Sequence, residues 1–133
     1  MRYDSEHKSE TRKRVLKEAA RAIRAKGPDG VAVAGIMARA GLTHGGFYAH
    51  FKSKDELVAE TIAVMFEETR DRIFRITDNP YSREGFAAYI DNYLSPAHRD
   101  GRDRGCPLPA LSGDMARLEP LSRECFGEEI GRA

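Results

Sequence analysis

The sequence predicts an all-α protein, and three of its features support this fold class. Apolar residues recur at intervals of three and four along most of the chain, which is the spacing of one face of an α-helix. No stretch shows the strict alternation of a half-buried strand, and no internal repeat is present. Serine, threonine, glycine and proline stand where the periodic segments begin and end, as they do at helix termini. We therefore expect a protein built only from helices.

The first helix is predicted from about Ser9 to Lys26, where Gly27 and Pro28 end it. One of its faces is apolar and the opposite face is basic, so the apolar face is expected to pack and the basic face to lie outside. The apolar positions are Val15, Leu16, Ala19, Ala20 and Ile23, and the basic positions are Arg12, Arg14, Lys17, Arg21 and Arg24.

Two short helices follow, joined by a turn that contains glycine. The first covers about Val33 to Ala40 and ends at Gly41, and the second is capped by Thr43 and runs to Phe51. This spacing is typical of a helix-turn-helix. On a helical wheel two phenylalanines of the second helix face the core and small or polar residues face away. The core positions are Phe47 and Phe51, the outward arc is Gly45, Tyr48, Ala49 and Lys52, and His44 and Gly46 lie on its shoulders.

Gly45 and Gly46 stand in the first turn of this second helix, where each costs up to about 1 kcal/mol of helix propensity relative to alanine. A bare first turn lets a helix N-terminus approach the major groove of DNA, and its amide groups can bind phosphate. The alternative is a loose first turn in an ordinary helical bundle. No preceding strand and no G-x-x-x-x-G-K motif supports a phosphate-binding loop.

The rest of the chain is predicted to form a helical body. Ser53-Lys54-Asp55-Glu56 is a capping box that opens the longest helix, and Asp78-Asn79-Pro80 ends that helix. Prolines and glycines predict a loop or broken helix over residues 95–109. The remaining predicted helices are Ser82 to about Leu94, with Phe86, Tyr89, Ile90, Tyr93 and Leu94 on one stripe, then Leu108 to Leu118 and Pro120 to Ile130.

Composition excludes several classes of protein. The 133 residues are 41% hydrophobic and 32% charged, as in an ordinary soluble domain. No apolar run approaches the roughly 18 residues of a membrane span, and the first residues lack the apolar region of a secretory signal. Two cysteines are too few for a disulfide scaffold, and the four histidines lack zinc-site spacing. We expect a cytoplasmic protein with no metal, no cofactor and no membrane partner.

Charge is distributed unevenly, although the net charge is only +1. Residues 1–54 carry 12 basic and 5 acidic side chains, whereas residues 55–133 carry 10 and 16. A basic head on an acidic body favours contact between the head and a polyanion. A solvated basic helix face explains the same charge equally well, so charge alone leaves both interpretations open.

The two cysteines have different surroundings in the sequence. Cys106 follows Arg102 and Arg104, and a thiol beside cations can ionise more easily and react. Cys106 is therefore a candidate thiol sensor, while packing of a small buried side chain against the longest helix is the alternative. Cys125 lies among acidic residues, which disfavour a thiolate, and is interpreted as a packing residue.

Residues 11 to 66 resemble the DNA-binding domain of the TetR family of transcriptional regulators. The segment IMARAGLTHGGFYAHFKSKDELV carries the resemblance. It implies that the outward residues of the second short helix contact DNA and that a lysine at the start of the longest helix grips phosphate. The implied set is His44, Gly45, Gly46 and Ala49 at base edges, Tyr48 and His50 at phosphates and nearby bases, and Lys54 at phosphate, with Thr43 as the cap.

Two positions depart from the family pattern. The family has serine or threonine where Ala32 stands, and it often has a phosphate-contacting arginine where Ala34 stands. A missing cap costs about 1 kcal/mol, so the helix that begins at Val33 is expected to fray. DNA affinity is then expected to depend more strongly on the basic first helix and on Lys54.

The resemblance implies two domains, a helix-turn-helix DNA-binding domain over residues 1–53 and a helical ligand-binding domain over residues 54–133. It also implies a homodimeric repressor that binds a palindromic operator in double-stranded DNA and is released by an unidentified small-molecule inducer, without enzymatic activity. Family members continue through two further long helices that form the dimer interface, so the body is expected to be truncated. The alternative is a helical interaction module that no longer binds DNA. A hydrolase is disfavoured, since no nucleophile and base stand at a usable spacing.

Overall fold

The computed structural model describes residues 2–132, and every regular element in that range is helical. The all-α prediction is confirmed. The α-helices are α1 (Arg2–Lys26), α2 (Val33–Arg39), α3 (Lys54–Ile76), α4 (Arg83–Tyr93), α5 (Pro96–Asp100), α6 (Pro107–Leu111) and α7 (Pro120–Arg132). Three 3₁₀ helices cover His44–Ala49, Arg102–Arg104 and Ser112–Arg117.

Helix α1 begins several residues earlier than its apolar stripe predicted. Residues 2–10 are exposed, and Arg2 pairs with Glu6 one turn later at 3.5 Å, which supports a helix without burial. The end of α1 agrees with the prediction. Gly27 adopts a φ of 77° and donates its N–H to the carbonyl of Ile23 at 2.7 Å, as a glycine following a helix does.

The turn after α2 also depends on a glycine. Gly41 has a φ of 76°, and the N–H of Leu42 returns to the carbonyl of Met37 at 2.9 Å. At the other end of α2, Ala32 occupies the cap position with extended backbone and supplies no side-chain acceptor, as the sequence predicted. Packing therefore holds α2, through the buried side chains of Ile36 and Met37.

The segment that follows is a 3₁₀ helix, His44–Ala49, and the prediction of an α-helix capped by the Thr43 side chain was wrong. Thr43 has the extended backbone of a cap, but its side chain makes no capping bond to the described residues. The carbonyl of Thr43 instead accepts the N–H of Gly46 at 3.2 Å, a three-residue spacing. Short segments with two glycines gain little from α-helical bonding, so the tighter turn suffices.

Helix α3 contributes one side of its surface to the hydrophobic core. The Ser53 hydroxyl accepts the N–H of Glu56 at 3.1 Å, which is the first bond of the predicted capping box, and the Glu56 carboxylate reaches back to the N–H of Lys52 at 3.0 Å, one residue before the cap. One side of α3 is buried against α1 and α7, and the rings of Phe66 and Phe126 meet edge to face at 5.8 Å. The buried apolar residues of α3 are Leu57, Val58, Ala59, Ile62, Met65 and Phe66.

The apolar stripe predicted for α4 is only partly packed. Phe86 is 59% exposed and Leu94 is 75% exposed, because no described part of the chain covers that side of α4. Residues 95–109 form two short helices and a 3₁₀ turn, in agreement with the predicted broken helix. Within residues 2–132, no helix combines the length and the apolar character needed to cross a bilayer.

Candidate nucleic-acid interface

The 3₁₀ helix His44–Ala49 presents a small, polar surface over an aromatic base. Phe47 and Phe51 are buried and their rings stack at 5.5 Å, as the sequence predicted. Tyr48 is 72% exposed, and its ring meets that of Phe47 edge to face at 5.2 Å. The other exposed residues of this surface are His44, Gly45, Ala49 and Lys52. The structure thus leaves most of the predicted DNA-contacting residues exposed, and their contact with DNA stays a prediction.

Neither Gly45 nor Gly46 is needed for backbone conformation. Among the described residues, positive φ angles occur at Gly27 and Gly41 only. A Cβ atom added at Gly45 would meet open space, and one at Gly46 would lie 3.6 Å from Thr43 Oγ1 and 3.8 Å from Met37 Cε, which are ordinary contacts. Alanine could therefore replace either residue without a clash. The absence of side chains at these positions leaves the first turn bare.

Arg12 of α1 joins the 3₁₀ helix to α3. Its guanidinium group donates to the backbone carbonyl of His50 and pairs with both carboxylate oxygens of Glu60. The same group lies 4.0 Å from Glu56 Oε1, and its Cζ atom is 4.4 Å from the centre of the Phe51 ring. The prediction that Arg12 lies on the outward basic face of α1 was wrong. The residue acts as a strut between the first helix, the bare turn and the long helix.

Two further arginines of the predicted basic face of α1 also turn toward the body. Arg24 is buried and pairs with Glu68 of α3 at 2.9 Å, and Arg21 pairs with Asp103 at 3.5 Å. The helical wheel could not predict these pairs, because the partners come from distant parts of the sequence. Lys13, Arg14 and Lys17 form no ion pair within residues 2–132. The basic surface of α1 is therefore smaller than predicted.

Lys54 and Asp55 occupy the first turn of α3 and have different surroundings. Lys54 is exposed at the first residue of the helix, next to the 3₁₀ segment. The Asp55 carboxylate accepts the N–H groups of Leu121 at 3.3 Å and Ser122 at 3.2 Å, and it also accepts the Ser122 hydroxyl. Asp55 thus caps the start of α7. This role was not predicted, because the helix dipole already explains an acidic residue in the first turn of a helix without a distant partner.

His50 is half-buried at the end of the 3₁₀ segment. Burial lowers the pKa of His50 below its ordinary value of 6.5, and the nearby cations Lys8 and Arg12 lower it further. Its Nδ1 atom is buried and has no hydrogen-bond partner among the described residues. The imidazole is therefore mainly neutral near pH 7.

Cys106 lies outside this surface, at the start of α6. It is half-buried, and the pKa of the neighbouring Tyr93 is raised first by burial and then by Cys106. The reactivity of Cys106 stays a prediction. Cys125 packs against α3, where its thiol lies 3.1 Å from the carbonyl of Ala59. Burial, followed by Glu129 and Glu128, raises the pKa of Cys125, as expected for a packing residue among acids.

Two short helical segments joined by a turn, a long helix and further short helices follow one another in this chain. Residues 15–61 match the family model described as bacterial regulatory proteins of the tetR family. The match spans the second half of α1, the helix-turn-helix segment and the first two turns of α3. No curated protein matches the sequence significantly.

Solved structures with the same fold include three regulators. The reduced form of NemR from E. coli is 21% identical, with a TM-score of 0.75 over 90% of this chain and 63% of that one. A TetR-family regulator from Agrobacterium tumefaciens is 20% identical, with a TM-score of 0.79 over 94% and 66% of the two chains. A TetR regulator from Chloroflexus aurantiacus J-10-FL is 30% identical, with a TM-score of 0.79 over 96% and 65%. The chain spans just under two thirds of the length of these relatives.

Proposed function

We propose that this protein is a sequence-specific DNA-binding repressor that is released from its operator by a small-molecule inducer. The observation that carries the proposal is the bare outward surface of His44–Ala49 over the buried Phe47 and Phe51. A first turn that lacks side chains at Gly45 and Gly46 can approach a major groove closely, and a rigid base keeps it in one orientation. The Arg12 strut supplies that rigidity by fixing the carbonyl of His50.

The proposed roles of the residues follow from their chemistry and exposure. His44 can hydrogen-bond a guanine edge, and Ala49 can touch a thymine methyl group. Few side chains are therefore proposed to read the base sequence. Tyr48, neutral His50 and Lys54 contact phosphates, which fixes the register of the protein on DNA without reading sequence. Gly45 and Gly46 permit close approach, and Thr43 positions the first turn.

The proposed release is a shift between two arrangements of the DNA-binding domain, residues 1–53, relative to the body, residues 54–133. Two heads of a homodimer would bind the half-sites of a palindromic operator in the cytoplasm, and the inducer would favour a spacing that does not match them. The Asp55 cap supports this coupling although both of its partners belong to the body, because it ties α7 to the first turn of α3, where Lys54 stands at the boundary with the DNA-binding domain.

A mobility-shift titration with DNA from upstream of the gene tests the proposal, using Tyr48→Ala and a matched control, Tyr81→Ala. Tyr81 is 92% exposed between α3 and α4 and belongs to no proposed contact. We expect the parent and Tyr81→Ala to bind alike and Tyr48→Ala to bind about tenfold more weakly, which corresponds to about 1.4 kcal/mol. Equal binding by all three proteins would argue against this surface as the DNA interface.

A helical interaction module without DNA binding is the second candidate. It is favoured by the pairing of Arg12, Arg21 and Arg24 with carboxylates of the body, which removes much of the basic surface of α1. The exposed apolar side chains of Phe86 and Leu94 also favour contact with another protein surface. Measurement of the solution mass together with the mobility shift separates the candidates: a stable assembly with no affinity for any DNA would support the module.

A further inference from the structure

A cleft of about 620 Å³ lies between α1, α3 and the segment from α4 to the turn at Arg102–Arg104. Cationic side chains dominate its lining, and one carboxylate is among them. The cationic lining residues are Lys17, Arg21, Arg24, Arg72, Arg75 and Arg104, the carboxylate is Glu68, and Asn92, Ser95 and His98 are the further polar side chains. This volume is called the basic cleft below.

The positive charge of the basic cleft is only partly neutralised within residues 2–132. Arg24, whose side chain is 1% exposed, pairs with Glu68, but its Nε atom is buried without a hydrogen-bond partner in the described chain. Arg21 and Arg104 share one carboxylate, that of Asp103, at 3.5 and 3.7 Å. The cleft thus contains more cations than its carboxylates can pair, and charge near a buried arginine is screened weakly.

Arg72 is half-buried among the cations of the cleft. Burial lowers its pKa, and the nearby cations Arg24 and Arg75 lower it further, against the opposing effects of Glu68 and Cys106. Its guanidinium group is held in place by donating to the carbonyl of Arg104. Lys17 and Arg75 take part in no ion pair in the part of the chain that the structure describes. An arrangement of this kind is stabilised by an anion that pairs with several cations at once.

We infer that the basic cleft binds a small molecule that carries phosphate or carboxylate groups. Arginines from three separate elements, Arg21 of α1, Arg72 of α3 and Arg104 of the following turn, line one volume. Guanidinium groups bind phosphate and carboxylate through paired hydrogen bonds. The volume falls within the range of about 300 to 1,000 Å³ that is common for small-molecule sites. The Asn92 amide can hydrogen-bond further polar groups of the ligand.

The phosphate backbone of DNA is the competing source of negative charge for the basic cleft. The residues that line the cleft differ from those that are proposed to contact DNA, and this difference argues against DNA as the ligand. None of the lining residues belongs to the 43–54 segment that carries the proposed DNA contacts. Lys17, Arg21 and Arg24 of the lining come from α1 of the DNA-binding domain, but Arg21 and Arg24 are paired with carboxylates of the body, and all the other lining residues belong to the body. Binding of the anion does not depend on the proposed repressor function. An effect of the bound anion on DNA affinity does rest on that function.

The inference is tested by thermal unfolding and calorimetric titration with inorganic pyrophosphate and with citrate, at constant ionic strength. The test variants are Arg75→Gln and the double variant Arg72→Gln/Arg75→Gln, and the matched control is Lys13→Gln/Arg14→Gln, which removes two cations from α1 outside the cleft. Arg75→Gln is included because Arg75 is exposed and has no ion pair among the described residues, so its loss should leave the fold intact. Circular dichroism confirms the fold of each variant.

We expect a saturable rise in Tm with at least one of the two anions for the parent and the control. We expect at least about tenfold weaker binding for the double variant and an intermediate effect for Arg75→Gln. No saturable binding by the parent, or equal losses in the control and the cleft variants, would overturn the inference. A lower salt slope of DNA binding in the cleft variants, without any effect of free anions, would assign the cleft to DNA instead. Anion binding by a parent that binds no DNA would leave the cleft assignment intact and reject only the repressor function.

Discussion

The carboxylate of Asp55 accepts the N–H of Ser122 at 3.2 Å, although the two residues are 67 positions apart. Asp55 belongs to the first turn of α3 and Ser122 to the first turn of α7, so one helix start caps the other. Loss of a cap costs about 0.5 to 2 kcal/mol. This bond makes the beginning of the long helix sensitive to the position of a helix in the body.

Asp55→Ala should therefore lower the free energy of unfolding by about 1 to 2 kcal/mol, because it leaves the amide groups of Leu121 and Ser122 without an acceptor. Denaturant unfolding measures the change. Asp71→Ala, an exposed acidic position on the same helix, serves as the control and should change stability by less than about 0.5 kcal/mol. Equal losses in the two variants would show that Asp55 contributes only through general charge.

Arg12→Lys should loosen the 3₁₀ helix even though the charge is kept. A lysine ammonium lacks the planar, forked geometry with which Arg12 reaches both the His50 carbonyl and the Glu60 carboxylate. We expect a loss of about 1 to 3 kcal/mol and faster hydrogen exchange at the amides of His50 and Phe51, measured by mass spectrometry or NMR. Lys13→Ala is the control on the same helix, and protection that is unchanged in Arg12→Lys would contradict the strut.

The double variant Gly45→Ala/Gly46→Ala separates close approach from conformational need. Both φ angles are negative and the added methyl groups meet no clash, so stability should stay within about 1 kcal/mol of the parent or increase. The methyl groups should nevertheless hold the turn away from the groove floor and weaken operator binding. Melting and operator affinity are measured on the same protein. Full stability with unchanged operator affinity would mean that DNA does not closely approach the turn at Gly45 and Gly46.

Lys54→Ala should weaken binding to all DNA sequences about equally and lower the salt slope of log K by roughly one unit, since one phosphate contact is lost. His44→Ala should instead relax the preference at one base step in each half-site by about 1 to 3 kcal/mol. Titrations at several salt concentrations and a selection from random sequences distinguish the two effects. Lys26→Ala, at the end of α1, should leave both quantities unchanged.

The pKa of His50 lies below its ordinary value of 6.5, so the unfolded chain binds more protons than the folded chain as the pH falls through that value. The free energy of unfolding should then decrease on acidification below about pH 6.5. A DNA phosphate beside the ring would raise the pKa of His50 and couple binding to proton uptake, so DNA affinity should increase from about pH 8 to about pH 6. His50→Gln should flatten this dependence, whereas His98→Gln should keep it.

Features that depend on neighbouring residues in the chain could be predicted from the sequence. The Ser53 cap, the left-handed glycines at 27 and 41 and the uncapped start at Ala32 are all present in the structure. Each of these depends on the local backbone and a side chain within four positions. The burial of Phe47 and Phe51 was also predictable, because the N–H of Phe51 bonds to the carbonyl of Phe47 at 3.0 Å and so keeps the α-helical spacing of four on which the prediction rested.

Features that depend on distant partners could not be predicted. Arg12 and Arg24 resemble solvent-exposed cations on a wheel, and only the parallel packing of α1 against α3 supplies Glu60 and Glu68. The choice between α-helix and 3₁₀ helix for six residues rests on small energy differences that composition does not resolve. The exposure of His44, Gly45, Tyr48 and Ala49 agrees with the prediction, and their contact with DNA stays a prediction.

The length of α3 has a mechanical consequence. With 23 residues the helix is about 34 Å long, and Lys54 and Arg75 lie near its opposite ends. A tilt of about 5° pivoting at the Arg75 end would displace Lys54 by about 3 Å, close to the 3.4 Å that separates successive nucleotides of one DNA strand. In the proposed release the helix would thus act as a lever arm, and because Asp55 caps α7, that helix would have to move with the start of α3 as the head shifts by about one step along the double helix.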